Sequence, residues 1–153
     1  MCTESGAVYA WGENKNSQLG ITTQGNGPHA PVLVGGPLAG KKVIQVSCGL
    51  RHTLALTDEG EVFAWGYNLR GQVGTGSARD HEAVPVKVLS TTNGHDAKVI
   101  SVVCGPNMSF AVRKDGKVSH SNSVQLFQIK YFIAKVVYMD FLGIKLGRCK
   151  GSG

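Results

Sequence analysis

The chain has 153 residues, 42% of them hydrophobic, with 21 glycines and a formal net charge of +6, a length that fits one domain able to bury a sizeable core. The charge excludes a uniformly basic nucleic-acid-binding body. Residues 1–116 carry ten Lys/Arg against nine Asp/Glu, whereas residues 117–153 carry six against Asp140 alone. Glycine at about twice its usual share, without collagen-type or Pro-rich periodicity, predicts many tight turns and an all-β chain.

The opening Met1–Gly6 segment has neither the basic flank nor the apolar stretch of a secretory signal. Cys2, Cys48, Cys104 and Cys149 show no close zinc-type spacing. Together these predict a reducing, intracellular setting, cytoplasmic or nuclear. Gly6-Ala-Val-Tyr-Ala-Trp-Gly-Glu-Asn-Lys-Asn-Ser-Gln-Leu-Gly20 then returns as Gly60-Glu-Val-Phe-Ala-Trp-Gly-Tyr-Asn-Leu-Arg-Gly-Gln-Val-Gly74. Trp11, Gly12, Asn14 and Gly20 fall in register with Trp65, Gly66, Asn68 and Gly74, an internal repeat of the size that builds stacked or radial arrays.

Between the copies, Val43–Cys48 reads as a strand ending at Gly49. Thr53–Thr57, the turn at Asp58-Glu-Gly60 and Val62–Trp65 read as a hairpin. Gly66–Gly74 is a structured loop, and Pro85–Leu89 a strand opening on proline, where a missing N–H costs least. The unit begins again with Val99–Cys104 and Gly105, then Ser109–Val112, the turn Lys114-Asp-Gly116 and Val118. About four short strands per unit are the coarse features of a propeller blade. Cys48 and Cys104 hold the same place in successive units and read as small buried apolar residues. The tryptophans supply buried area.

The Cys48-Gly49-x-x-His52-Thr-Leu-Ala-Leu-Thr-x-x-Gly60-x-Val-x-x-Trp65-Gly66-x-Asn68-x-x-x-Gln-Val-Gly74 run resembles the repeat of the regulator of chromosome condensation family. The resemblance covers residues 2–118. It implies a seven-bladed β-propeller of four-stranded blades, with adjoining repeats completing each blade. The expected fold is therefore a partial β-propeller: about two blades of four-stranded antiparallel sheet in an incomplete ring, read as a fragment of a larger protein. After Val118 the aromatic-Ala-Trp-Gly of the repeat is replaced by Ser119-His-Ser-Asn-Ser123. Residues 119–153 form a basic, apolar tail without repeat logic, with charges too frequent for a membrane span.

No catalytic, cofactor or metal site is legible. His52 reads as a structural residue, because Met108 holds its place in the next unit. His29, His81, His95 and His120 are dispersed, and Asp58, Glu59 and Glu61 sit at a turn where acids are solvated. The glycine-rich loops lack phosphate-loop spacing. Residues that vary between the copies within the fixed frame are Lys15, Asn16, Tyr67, Leu69, Arg70, Arg79 and His81, the candidate partner-facing positions. The expected function is a protein-interaction scaffold, not an enzyme. The alternative, implied by the family resemblance, is nucleotide exchange on a small GTPase by the complete propeller. Chromatin binding through the tail is not indicated, since its Lys/Arg are not clustered.

Overall fold

The computed structural model describes residues 1–22, 29–76, 79–89 and 98–121; the Val124–Leu146 stretch and His95 lie outside them. The apolar runs fold as β1 (Tyr9–Gly12), β2 (His29–Leu33), β3 (Val43–Cys48), β4 (His52–Thr57), β5 (Val62–Tyr67), β6 (His81–Leu89), β7 (Val99–Gly105), β8 (Met108–Arg113) and β9 (Val118–Ser121). All pairings are antiparallel, and sequence neighbours are sheet neighbours: β1-β2, then β3-β4-β5-β6, then β7-β8-β9. The central meander is one complete propeller blade. The strands expected for about two blades are thus divided over three sheets.

Alternation explains the stacking. Along β4 and β5, Leu54, Leu56, Val62 and Ala64 face the third sheet and pack with Val99, Val102 and Ala111. The intervening Ala55, Phe63 and Trp65 face the first sheet and pack with Val8 and Val34. Both faces of these two strands are buried, so Thr53-Leu-Ala-Leu-Thr57 reads as a continuous run rather than a polar–apolar alternation.

Polar clasps fix the spacing between sheets. The Gln18 backbone carbonyl accepts from Thr53 Oγ1 at 3.0 Å and from the Trp65 indole Nε1 at 2.9 Å. One unit later the Gln72 carbonyl accepts from Ser109 Oγ at 2.6 Å and Ser121 Oγ at 3.0 Å. The Gln45 side chain acts as a surrogate strand, donating to the Val102 carbonyl and accepting from its N–H. Gly20 is part of the first clasp, since a Cβ there would lie 2.7 Å from the Trp65 Nε1.

His52 belongs to this system. Its Nε2 lies 3.0 Å from Ser109 Oγ, and that hydroxyl spends its proton on the Gln72 carbonyl, so the imidazole is the donor. The ring lies over Gly49, where a Cβ would sit 2.2 Å from it; Met108 uses Gly105 in the same way. The slot is one of shape, which is why Met can replace His. Burial pushes the His52 ring down to about 4.

Three readings are corrected by the structure. Pro85 does not open its strand: β6 begins at His81 and buries Pro85 mid-strand. The outer position of β6 and a register shift between Ala64 and Gly66 remove the need for its N–H, and Pro31 sits at a matching shift in β2. Trp11 is 52% exposed, against 1% for Trp65, because no described loop lies over it as the Gln18 loop lies over Trp65. Cys48 is exposed, whereas Cys104 is tied to Ser47 of the preceding inner strand, the contact Cys48 lacks. Burial pushes the Cys104 thiol up to about 12.

Urea denaturation should rank the repeat positions. Gly66→Val is expected to cost more than about 3 kcal/mol, since a Cβ at its φ of +100° would lie 2.6 Å from the Arg51 carbonyl. Gly12→Val, with a similar φ and open space around it, should cost about 1–2 kcal/mol. Trp65→Ala is expected to cost about 3–5 kcal/mol and Trp11→Ala about 1 kcal/mol or less; equal costs would mean the clasp is not what orders the blades. Below pH about 6.5 the unfolded chain takes up a proton at His52 that the folded ring refuses, so stability is full above that pH and falls toward pH 4. His52→Met should remain folded and remove about 2 kcal/mol of the stability difference between pH 7.5 and pH 5.

Candidate protein-interaction face

The β3–β4 and β5–β6 connections emerge at the same end of the central blade. A main-chain bond joins them, the Tyr67 N–H donating to the Arg51 carbonyl at 2.8 Å, and the Leu50 N–H donates to the Pro106 carbonyl of the β7–β8 turn at 3.1 Å. The Arg51 guanidinium lies 5.7 Å from the Tyr67 ring centroid, a cation–π contact.

The long loop is rigid from within. Asn68 is buried, and its Oδ1 accepts from the Val73 N–H while its Nδ2 donates to the Arg79 carbonyl. Gln72 is buried, and its Oε1 accepts from the Arg70 N–H. Asn14 and Gln18 make the same bonds to Leu19 and Asn16 in the first unit. Ser17 takes the left-handed conformation, φ 59°, that Gly71 takes one unit later. The chain therefore turns identically twice while the outward side chains differ.

Those outward positions include most of the candidates. Lys15, Leu69, Arg70, Arg79 and His81 are exposed, and Asn16 and Tyr67 are half-buried. The structure brings Tyr67, Leu69, Arg70, Arg79 and His81 to one end of the central blade and puts Lys15 and Asn16 on the matching loop of the first sheet. Leu50 and Arg51, which the comparison of the two glycine-rich copies could not reach, join the same end. Leu50 is 66% exposed and Leu69 59%. The signal for Leu50 was available as a large apolar residue between Gly49 and Arg51 in a turn.

The opposite end differs in its electrostatics. Lys41 meets Glu61 at 2.7 Å and Glu59 at 2.9 Å, and Lys87 meets Glu61 at 3.0 Å. Lys41, then Lys87, hold the Glu61 carboxyl below its usual range. This corrects the reading of that turn as merely solvated: Glu61 is ion-paired and largely covered. At the loop end Arg79 reaches Glu82 at 3.8 Å, while Arg70 makes no ion pair among the described residues.

The contact of Ser109 with His52 has the composition of a nucleophile–base pair but the wrong proton direction, since the serine donates to a carbonyl and both groups are buried. Its chemistry is that of a clasp. Among the described residues no group of three or more His, Cys, Asp and Glu is placed to hold a metal ion, and no helix is long and apolar enough to cross a membrane.

The regulator of chromosome condensation (RCC1) repeat pattern matches residues 5–56 and 59–112, and a second pattern of the same description matches residues 43–72. The mitochondrial RCC1 domain-containing protein RUG3 of Arabidopsis thaliana is 32% identical over 127 residues, covering 83% of this chain and 27% of RUG3. The ultraviolet-B receptor UVR8 of the same plant is 48% identical over 80 residues, 51% of this chain and 17% of UVR8. Human protein RCC2 is 35% identical over 118 residues, 77% of this chain and 22% of RCC2. The chain thus spans about a quarter or less of the length of these relatives. Among solved structures, human WBSCR16 superposes with a TM-score of 0.69 at 28% identity, covering 78% of this chain and 29% of that one. Prp20p of Saccharomyces cerevisiae, whose structure was described with its binding to Gsp1p and histones, superposes at 0.63 and 20% identity over 74% of this chain and 28% of its own; at that identity the likeness is one of fold. With the repeat pattern matched over most of the described strands and the blade meander in place, the chain belongs to the family of regulator of chromosome condensation (RCC1) repeat proteins.

Proposed function

We propose that this chain is a protein-binding element, with the loop end of its blades as the docking face and no chemistry of its own. The observation that carries the reading is the contrast between the two ends. One end closes its charges in Lys–Glu pairs; the other holds Leu50, Arg51, Tyr67, Leu69 and Arg70 outward on loops stiffened by buried Asn and Gln. Exposed leucines and a half-buried tyrosine beside arginine, on a preorganised frame, match the composition of binding hot spots. The partner surface that fits is an acidic protein surface with an apolar centre. An intracellular setting, cytoplasmic or nuclear, goes with this reading.

Nucleotide exchange on a small GTPase is the second reading. The binding of Gsp1p by Prp20p, a protein of the same fold, brings it forward. In this reading exchange is a property of a complete propeller, and the chain alone carries too few blades for it.

Quantitative affinity capture separates the readings. Leu50→Ser combined with Leu69→Ser and Arg70→Glu is expected to lower capture of the bound proteins at least about ten-fold, while Asp58→Ser with Glu59→Ser at the opposite end leaves them in place. The reverse pattern would move the docking face to the Lys–Glu end. The purified chain is also expected to leave the release of labelled nucleotide from small GTPases unchanged, and measurable acceleration would make exchange the function.

A further inference from the structure

Two residues in β9, Ser119 and Ser121, change the seam between the second and third sheets. Strand pairing aligns Val118-Ser119-His120-Ser121 on β8 as Val62-Phe63-Ala64-Trp65 aligns on β4. Ser119 therefore stands where Phe63 stands, and Ser121 where Trp65 stands. In the seam before it, those two rings are buried against Val8 and Val34. In this seam the equivalents of Val8 and Val34 are Val62 and Val88, and both line a cavity of about 330 Å³ together with Val73, Ala111, Ser119 and Ser121.

The cavity is apolar although serines replace the rings. Ser121 Oγ has taken over the hydrogen bond that the indole nitrogen makes one unit earlier, donating to the Gln72 carbonyl at 3.0 Å. Ser109 donates to the same oxygen at 2.6 Å. Both lone pairs of that carbonyl are thereby used, and the Ser109 and Ser121 hydroxyls are engaged there, while Ser119 and His120 add polar groups to the lining. The apolar part of the described lining is Leu54, Val62, Val73, Val88, Phe110 and Ala111. Gly74 keeps the floor open: a Cβ there would lie 3.4 Å from Ser121 Cβ, whereas the corresponding Gly20 is filled to 2.7 Å by Trp65. Surfaces of aliphatic side chains left without a packing partner are suited to aromatic guests.

We propose that the seam between the second and third sheets is a binding site for a planar aromatic group of indole size, which replaces the two rings that β9 lacks. The site lies between sheets and is separate from the loop end proposed as the docking face, so neither reading depends on the other. The recognition is by shape and apolar contact, with the Ser109 and Ser121 hydroxyls already engaged at the Gln72 carbonyl.

The test titrates the full 153-residue chain with indole and follows methyl groups by NMR. Saturable shifts are expected at Val62, Val73, Val88 and Ala111, with half-saturation on the order of 0.1–1 mM. The methyls of Val8 and Val46, beside Trp11 in the other seam, should stay still. Ser119→Phe with Ser121→Trp refills the seam and should weaken indole binding at least about ten-fold; if that variant does not fold, the shift map of the unaltered chain decides alone. No shifts at millimolar indole, shifts centred on the Trp11 side, or undiminished binding by a folded double variant would each overturn the proposal.

Discussion

Two donors from one sheet meeting a single loop carbonyl of the sheet before it is the interaction on which this structure depends. A four-stranded meander hides its own hydrogen bonds but leaves two apolar faces, and it is stable only when both are covered. Hydrophobic contact alone would let the sheets slide or rotate across each other. The carbonyls of Gln18 and Gln72 prevent that, because each takes donors from β4 and β5, or from β8 and β9, at fixed points. His52 adds a donor to the second clasp through Ser109, which ties β4 of the central sheet to β8 of the third.

The clasp also explains why the loop is suited to binding. The segment that bends back to place Gln18 or Gln72 under the next sheet must be held from inside by Asn14 or Asn68 and by the Gln side chain. Once it is, the residues on its outer side carry no structural duty. Lys15 and Asn16 can become Leu69 and Arg70 without disturbing a single framework bond. Rigid backbone and free outer side chains are the conditions under which a loop acquires a partner.

Much of this was legible from residues alone. The in-register glycines, tryptophans and asparagines located the strands and loop, and the Ser119–Ser123 departure marked where the aromatic pattern fails. What was not legible has a common physical reason. Ser109 as the partner of His52 lies in the next unit, and the Gln carbonyls are main-chain groups with no residue code. Trp11 and Trp65 are identical in local sequence, and only the Gln18 loop lying over one of them makes their burial differ. Pro85 reads as a strand opener until the bulge and the outer position of β6 are seen.

The division of the clasp between main chain and side chain gives it an uneven exposure to mutation. Its accepting half is a peptide carbonyl, which every amino acid supplies, so no point substitution at Gln18 or Gln72 deletes the acceptor itself. Its donating half is written in side chains and is open to drift. At β9 the donor is a hydroxyl: Ser121 gives its proton to the Gln72 carbonyl as the Trp65 indole does to that of Gln18, without the ring's bulk. The bond that sets the spacing between neighbouring sheets and the bulk that fills the seam are thus separable, and a seam can keep the first without the second.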